Sequence, residues 1–141
     1  MRMIGAAILV LMVTAAATVV PVRAHHAFAA EFDANQPVEL RGTITKLEWI
    51  NPHGWIYLDV KKPDGKVEQW EVETGGPTAL MRRGLRRTDF PIGIELVVKG
   101  YKAKKKPFVM NASSVRKTDG SEYFVGSSGT GAPEPAPRPG N

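Results

Sequence analysis

Apolar and polar residues alternate over most of the chain between residues 38 and 125, which is typical of half-buried β-strands. The first run begins at Val38 and has its apolar residues at even positions as far as Ile44, but at odd positions from Leu47 onward. A change of phase within one strand predicts a β-bulge, here near residues 45–46. The first strand is therefore expected to be long and bent.

The sequence Asn-Pro-His-Gly at residues 51–54 breaks this run, and a second alternating strand follows it. Even-numbered residues from Ile56 to Val60 are predicted to face the core of that strand's sheet. Proline followed by Asp-Gly at residues 63–65 predicts a tight hairpin, because proline presets φ and glycine accepts a positive φ. A third strand is expected from about residue 67 to residue 74.

Pro77 suits the first position of a helix, and the pattern after it predicts a short helix over residues 78–87. A fourth strand with apolar residues at alternate positions follows from Ile94. A lysine-rich loop at residues 102–106 then leads into a last strand over residues 108–117, and a turn beyond it leads to a further short apolar run.

This order of three strands, a short helix and two strands is typical of an all-β, five-stranded OB-like Greek-key barrel with its helix between strands 3 and 4. The bent first strand favours that fold, since one long strand must serve both halves of a closed sheet. A plain antiparallel sheet covered by one helix is the alternative.

Both ends of the chain differ from this domain, which is expected over residues 25–125. Residues 1–24 contain an early arginine, an apolar run and small residues before a cleavage point, and so predict a signal peptide. An uncleaved anchor is the alternative, because the apolar run is at the short end of what spans a bilayer. Residues 126–141 contain only small and polar residue types, which predicts a disordered tail.

The signal peptide implies export by the bacterial Sec route, so that the mature protein is periplasmic or secreted and has no membrane span after cleavage. Removing residues 1–24 lowers the formal charge from +5 to +3. That excess is mild, and export separates the protein from most nucleic acid, so nucleic acid is disfavoured as a partner. No cysteine is present to form a disulfide.

Catalytic motifs are absent from the sequence. It has no cysteine, no Gly-x-Ser-x-Gly motif and no glycine-rich phosphate loop before a helix. Acidic residues do occur in pairs, Glu31 with Asp33 and Glu71 with Glu73, but acids on alternate residues are typical of the solvent-facing side of a strand. We therefore expect a binding module rather than an enzyme.

The three histidines of the chain fall at two places, His25-His26 and His53. Cleavage after Ala24 would give His25 a free α-amine, whose pKa near 8 makes it a usable ligand near neutral pH. With His26 and His53 it would form a nitrogen-rich metal site, which favours copper and then zinc. The alternative is that His25 and His26 form a frayed terminus and His53 caps a turn.

A second set of candidate residues predicts a face for a small ligand or an unknown envelope protein. Its aromatic members share one face of the second strand, and its basic members cover the helix, where they are equally typical of a solvated helix surface. The set consists of Trp55, Tyr57, Arg82, Arg83, Arg86 and Arg87.

Two long motifs, HHAFAAEFD at residues 25–33 and GTITKLEWINPHGW at residues 42–55, resemble those of a family of small exported bacterial proteins of unknown function. RRG at residues 82–84 and GYKAK at residues 100–104 add to the resemblance, which covers nearly the whole mature domain. It implies a secreted or periplasmic domain and supplies no catalytic residues. The double histidine and the Asn-Pro-His sequence both belong to the family pattern.

Overall fold

The computed structural model describes residues 28–127 of the chain. The predicted signal peptide, His25 and His26, and the predicted tail after residue 127 lie outside the described residues. A helical turn at residues 28–31 leads into the first strand. The elements that follow are β1 (Phe32–Glu48), β2 (His53–Lys61), β3 (Val67–Gly75), helix α1 (Pro77–Arg82), a 3-10 helix (Arg87–Asp89), β4 (Glu95–Ala103), β5 (Val109–Lys117) and β6 (Glu122–Phe124).

Within the described residues, the six strands form one sheet in the order β3-β2-β1-β4-β5-β6, with every neighbouring pair antiparallel. Strand β3 also pairs with β5, in parallel, from Glu71 opposite Val109 to Glu73 opposite Asn111. The prediction of a mostly β fold with a short helix after the third strand is confirmed, whereas the structure has six strands and a further 3-10 helix where the sequence predicts five strands and one helix.

The predicted bulge is confirmed in β1, where the pairing with β2 passes from Ile44 opposite Leu58 directly to Lys46 opposite Tyr57. The extra residue lets the long strand bend, so that its first part pairs with β4 and its last part with β2. The change of phase seen in the sequence therefore has a direct structural cause.

The predicted hairpin between β2 and β3 is also confirmed. The amide of Lys62 donates to the carbonyl of Lys66 at 2.8 Å, and the amide of Gly65 donates to the carbonyl of Lys62 at 2.9 Å. Gly65 has a φ of +84°, which glycine adopts without the steric cost that a Cβ would bring.

The helix is shorter than the predicted span of residues 78–87, and the second half of that prediction is wrong. Gly84 has a φ of +83°, and the amide of Leu85 donates back to the carbonyl of Leu80 at 3.0 Å. A glycine in the left-handed conformation is a common way to end a helix. The arginines after it therefore lie on a loop and a 3-10 helix instead of on a continuous helix.

The main core lies between the strands and α1, and the predicted inward residues Ile56, Leu58 and Val60 are buried in it. Leu47 and Trp49 are only half-buried at its edge. The other buried members are Leu40, Ile44, Trp70, Val72, Leu80, Leu85, Phe90, Leu96, Val98, Met110, Ala112, Val115 and Val125.

A second apolar cluster fixes the N-terminal turn to the sheet. Phe28 and Phe32 stack with their ring centroids 5.7 Å apart, and Phe28 meets the edge of Tyr101 at 5.6 Å. Val109 is buried with them, and Trp55 packs against the same cluster. No helix within residues 28–127 has the length and apolar character that a bilayer crossing requires.

Candidate functional site

The Asn-Pro-His corner is held against the start of α1. The side-chain oxygen of Asn51 accepts a hydrogen bond from the amide of Thr78 at 3.3 Å, and the Asn51–Pro52 peptide bond is cis. Gly76 lies directly beneath the corner, where a Cβ would come within 2.4 Å of the carbonyl oxygen of Pro52. The corner is thus closely packed, and it fixes the backbone from which His53 begins β2.

The imidazole of His53 faces a carboxylate on the neighbouring strand. His53 Nδ1 lies 3.0 Å from Glu73 Oε1, although the angle is not that of an aligned hydrogen bond. The His53 side chain is 37% exposed, whereas its Nδ1 atom is buried. The exposed surface of the side chain therefore belongs to its other atoms.

Glu73 is only 8% exposed, and it is backed by a second buried polar side chain. Asn111 Nδ2 donates to Glu73 Oε1 at 3.3 Å, while Asn111 Oδ1 is buried without a hydrogen-bond partner in the described part of the chain. Burial raises the pKa of Glu73 because the charged form loses its hydration, and the charge of His53 acts in the opposite direction. A buried carboxylate facing one edge of a histidine ring is the main polar feature of this site.

One charged residue on the N-terminal turn and one on the β4–β5 loop affect the pKa of the Glu73 carboxyl. The negative charge of Glu31 contributes to the raised pKa of Glu73, and the positive charge of Lys106 lowers it. A cavity of about 300 Å³ opens beside the turn. It is lined by Ala30, Glu31, Phe32, Trp55, Ala103, Lys105, Lys106 and Val109.

The raised pKa gives a prediction for Glu73→Gln. The pKa of Glu73 in the folded chain lies above its ordinary value of 4.5. At pH values between these two pKa values the folded chain binds more protons than the unfolded chain, so the free energy of unfolding falls as the pH rises through this range. The amide cannot ionise, so the variant should have a higher free energy of unfolding than the wild type at about pH 7 and an equal one at about pH 4. Urea unfolding at both pH values measures this. A variant less stable at about pH 7 would show that the carboxylate stabilises the fold.

A family model described as "Family of unknown function (DUF6152)" matches residues 12–108, which include the N-terminal turn, the corner, His53 and Glu73. The chain belongs to this family. The resemblance to a family of unknown function is thereby confirmed. A comparison with curated proteins gave no match.

Of the three predicted metal ligands of this DUF6152 domain, only His53 lies within the described residues, and His25 and His26 lie outside them. Between residues 28 and 127, no three side chains of the His, Cys, Asp and Glu types group as a metal site.

The structure divides the aromatic members of the predicted partner face between two environments. Trp55 packs against the cluster that contains Phe28, whereas Tyr57 lies under Lys46, whose Nζ is 4.7 Å from the ring centroid. Burial raises the pKa of the Tyr57 hydroxyl, and Glu48 adds to that effect. Both aromatic rings are half-buried and have contacts within the domain.

The four arginines are divided as well. Arg82, Arg86 and Arg87 are exposed. Arg83 is half-buried, because its Nη1 donates to the carbonyl of Gly126 at 2.6 Å and its guanidinium lies 4.5 Å from the centroid of Phe124. Arg83 thus ties the helix to the segment after β6.

The sequence interpretation was wrong about Glu73, which it placed on the solvent-facing side of β3. Glu71 is exposed as expected, but the next acid on that face is buried beside Trp55, its partner in β2, and Asn111, its partner in β5. An apolar residue directly opposite an acid indicates only weakly that the acid is buried. The parallel pairing of β3 with β5, which completes the site, leaves no pattern in the neighbouring sequence.

Proposed function

We propose that this DUF6152 domain is an exported, non-enzymatic module that binds a transition metal ion, Cu(II) in preference to Zn(II), through His25, His26 and His53. One observation carries the proposal: Nδ1 of His53 is buried against the Glu73 carboxylate, while the His53 side chain as a whole stays 37% exposed. Metal-ligating histidines commonly direct their second nitrogen to a carboxylate, which fixes the ring and its tautomer. Nε2 of His53 is then the nitrogen that takes the metal.

The anchoring of the N-terminal turn supports a shared site. Phe28 is buried in the cluster against which Trp55 packs. His26 precedes Phe28 by two residues in the chain, and His53 precedes Trp55 by two residues and shares its face of β2. The residues that follow the two groups of histidines by two positions, Phe28 and Trp55, therefore meet in one cluster.

The chemistry of the ligands favours copper. Two or three imidazole nitrogens and the α-amine of His25 form a nitrogen-rich set, and Cu(II) binds such sets most tightly among the common divalent ions. The amine and the imidazoles must lose their protons to bind a metal, so the affinity should rise with pH.

The strand pairings support an OB-like Greek-key barrel as the architecture of the module. Following the pairs from β1 through β2, β3, β5 and β4 leads back to β1, and α1 lies between β3 and β4 in the chain. We propose a periplasmic or secreted location, on the strength of the signal-like residues 1–24.

The proposal is tested by titrating the mature protein, beginning at His25, with Cu(II) and following Trp fluorescence and heat. We expect one ion per chain with a dissociation constant below about 10 μM. Acetylating the α-amine of His25 removes that nitrogen as a ligand, and it should weaken binding by about tenfold or more while leaving the melting temperature of the metal-free protein unchanged. Binding weaker than about 10 μM, or equal affinity for both proteins, would contradict the proposed ligand set.

A further inference from the structure

Two loops lie together at one end of the sheet, because β3 pairs with both β2 and β5. They are residues 61–68, around the β2–β3 hairpin, and residues 102–108, around the β4–β5 connection; we call them together the lysine end. Their basic residues are all exposed, and they are Lys61, Lys62, Lys66, Lys102, Lys104, Lys105 and Lys106.

The lysine end concentrates the positive charge of the domain. Its seven lysines are accompanied by two acids, Asp64 and Glu68, for a net charge of +5. Residues 28–127 carry 16 basic and 13 acidic residues, a net charge of +3, so the rest of the described domain is net −2. Both acids already pair with lysines of the same hairpin: Asp64 with Lys66 at 3.5 Å and Glu68 with Lys62 at 3.8 Å.

Apolar side chains project from the same end. Val67 is 50% exposed and Phe108 is 45% exposed. Phe108 has a φ of +55°, which is rare for a bulky residue and costs on the order of 1 kcal/mol or more. Its ring meets Trp70 edge to face, with centroids 5.7 Å apart. An aromatic residue thus lies at the surface among lysines, in a backbone conformation that is unfavourable for a bulky side chain.

A cleft lies between the two loops and is lined by aromatic and basic side chains. Its volume is about 300 Å³, and Trp70 and Phe108 line it together with Lys62, Lys102 and Lys106. Charge alone would suit any polyanion. The projecting apolar residues favour a lipid interface over a soluble polyanion, because a lipid interface can bury them and a soluble polyanion cannot.

We propose that the lysine end binds the surface of an anionic phospholipid bilayer, with Phe108 and Val67 entering the interface and the lysines facing the headgroups. Lysines near an anionic leaflet each add favourable binding energy, and their apolar stems lie along the interface while the ammonium groups stay hydrated. The hairpin half of the lysine end is remote from the metal site, because His53 begins β2 and Lys61 ends it, about 26 Å away along an extended strand. Lys106 of the other loop acts on the charge of Glu73, so the proposal is tested on the metal-free protein.

Vesicle co-sedimentation of the metal-free protein tests this proposal. The vesicles are pure phosphatidylcholine or phosphatidylcholine with about 30% phosphatidylglycerol. The charge variant is Lys102→Glu with Lys106→Glu, and its matched control, Arg41→Glu with Arg116→Glu, makes the same charge change at exposed positions outside the lysine end, both opposite Val97 of β4. The apolar variant is Phe108→Asn, because asparagine tolerates positive φ. Its control is Ile92→Asn, at a residue that is 59% exposed before β4.

We expect the wild type to bind the anionic vesicles at least about tenfold more tightly than the neutral ones, and to be released at about 0.5 M salt. The lysine variant should lose about tenfold or more in partition, Phe108→Asn about threefold or more, and both controls less than about twofold. Equal binding to both vesicle types, or equal losses in a variant and its control, would overturn the proposal. Binding to soluble heparin without binding to vesicles would also overturn the proposal and would identify a polyanion partner instead.

Discussion

Replacing His53 by alanine is expected to weaken Cu(II) binding by the mature protein about a hundredfold. The change removes the one imidazole that the folded domain itself contributes to the proposed site, and a hundredfold loss corresponds to about 2.7 kcal/mol. Isothermal titration of the wild type and the variant at about pH 7 measures the difference. An affinity within about threefold of the wild type would mean that copper binds at the N-terminus alone.

Glu73→Gln is the matched control for this loss, because it leaves the imidazole in place and changes only the group behind it. Removing such a supporting carboxylate typically costs 10–100-fold in metal affinity, so we expect about a tenfold loss. The same variant is expected to be more stable than the wild type at about pH 7, as argued from the raised pKa of Glu73. A gain in stability together with a loss in affinity is the result expected of a carboxylate that orients a ligand at a cost to the fold.

The second large effect is expected at Gly76, where alanine should lower the free energy of unfolding by about 3 kcal/mol. Its Cβ would lie 2.4 Å from the carbonyl oxygen of Pro52 and 2.7 Å from Oδ1 of Asn51. The nearest atom belongs to the backbone and cannot turn away, so the corner must move, and overpacking of this kind commonly costs 1–3 kcal/mol or more. Urea unfolding measures the loss, and copper affinity should fall with it because the corner positions His53.

Gly84→Ala provides the comparison for this effect. Gly84 has nothing within 4 Å of an added Cβ, and its positive φ of +83° makes alanine unfavourable by only about 1 kcal/mol. Equal losses in the two variants would show that the corner is not tightly packed against the start of α1.

Local features of the fold could be predicted because each has a local physical cause. The bulge near residues 45–46 follows from a shift of the apolar pattern by one residue, and the turn at Gly65 follows from proline and glycine chemistry. The length of α1 could not be predicted from its apolar spacing, because Gly84 takes a left-handed conformation and ends the helix early. A glycine inside a helical pattern is compatible with continuation as well as with termination.

The candidate site was predictable only in part, for a different reason. His53 stands out in the sequence because histidines are few and this one lies at a turn. Glu73 does not, since alternation assigns it to the outer face of β3. That face is covered beside Trp55 by the turn that carries Phe28, and the pairing of β3 with β5 brings in Asn111. Long-range pairing and the docking of an N-terminal segment leave no periodic signal in the sequence.

The central claim is that His53 and the N-terminal histidines bind the same copper ion. Electron spin-echo envelope modulation of the mature protein with one equivalent of Cu(II) tests it most directly, because the remote nitrogen of each coordinated imidazole modulates the echo. We predict that the spectrum reports more than one imidazole and that His53→Ala removes one imidazole from it. An identical spectrum for the two proteins would contradict the claim.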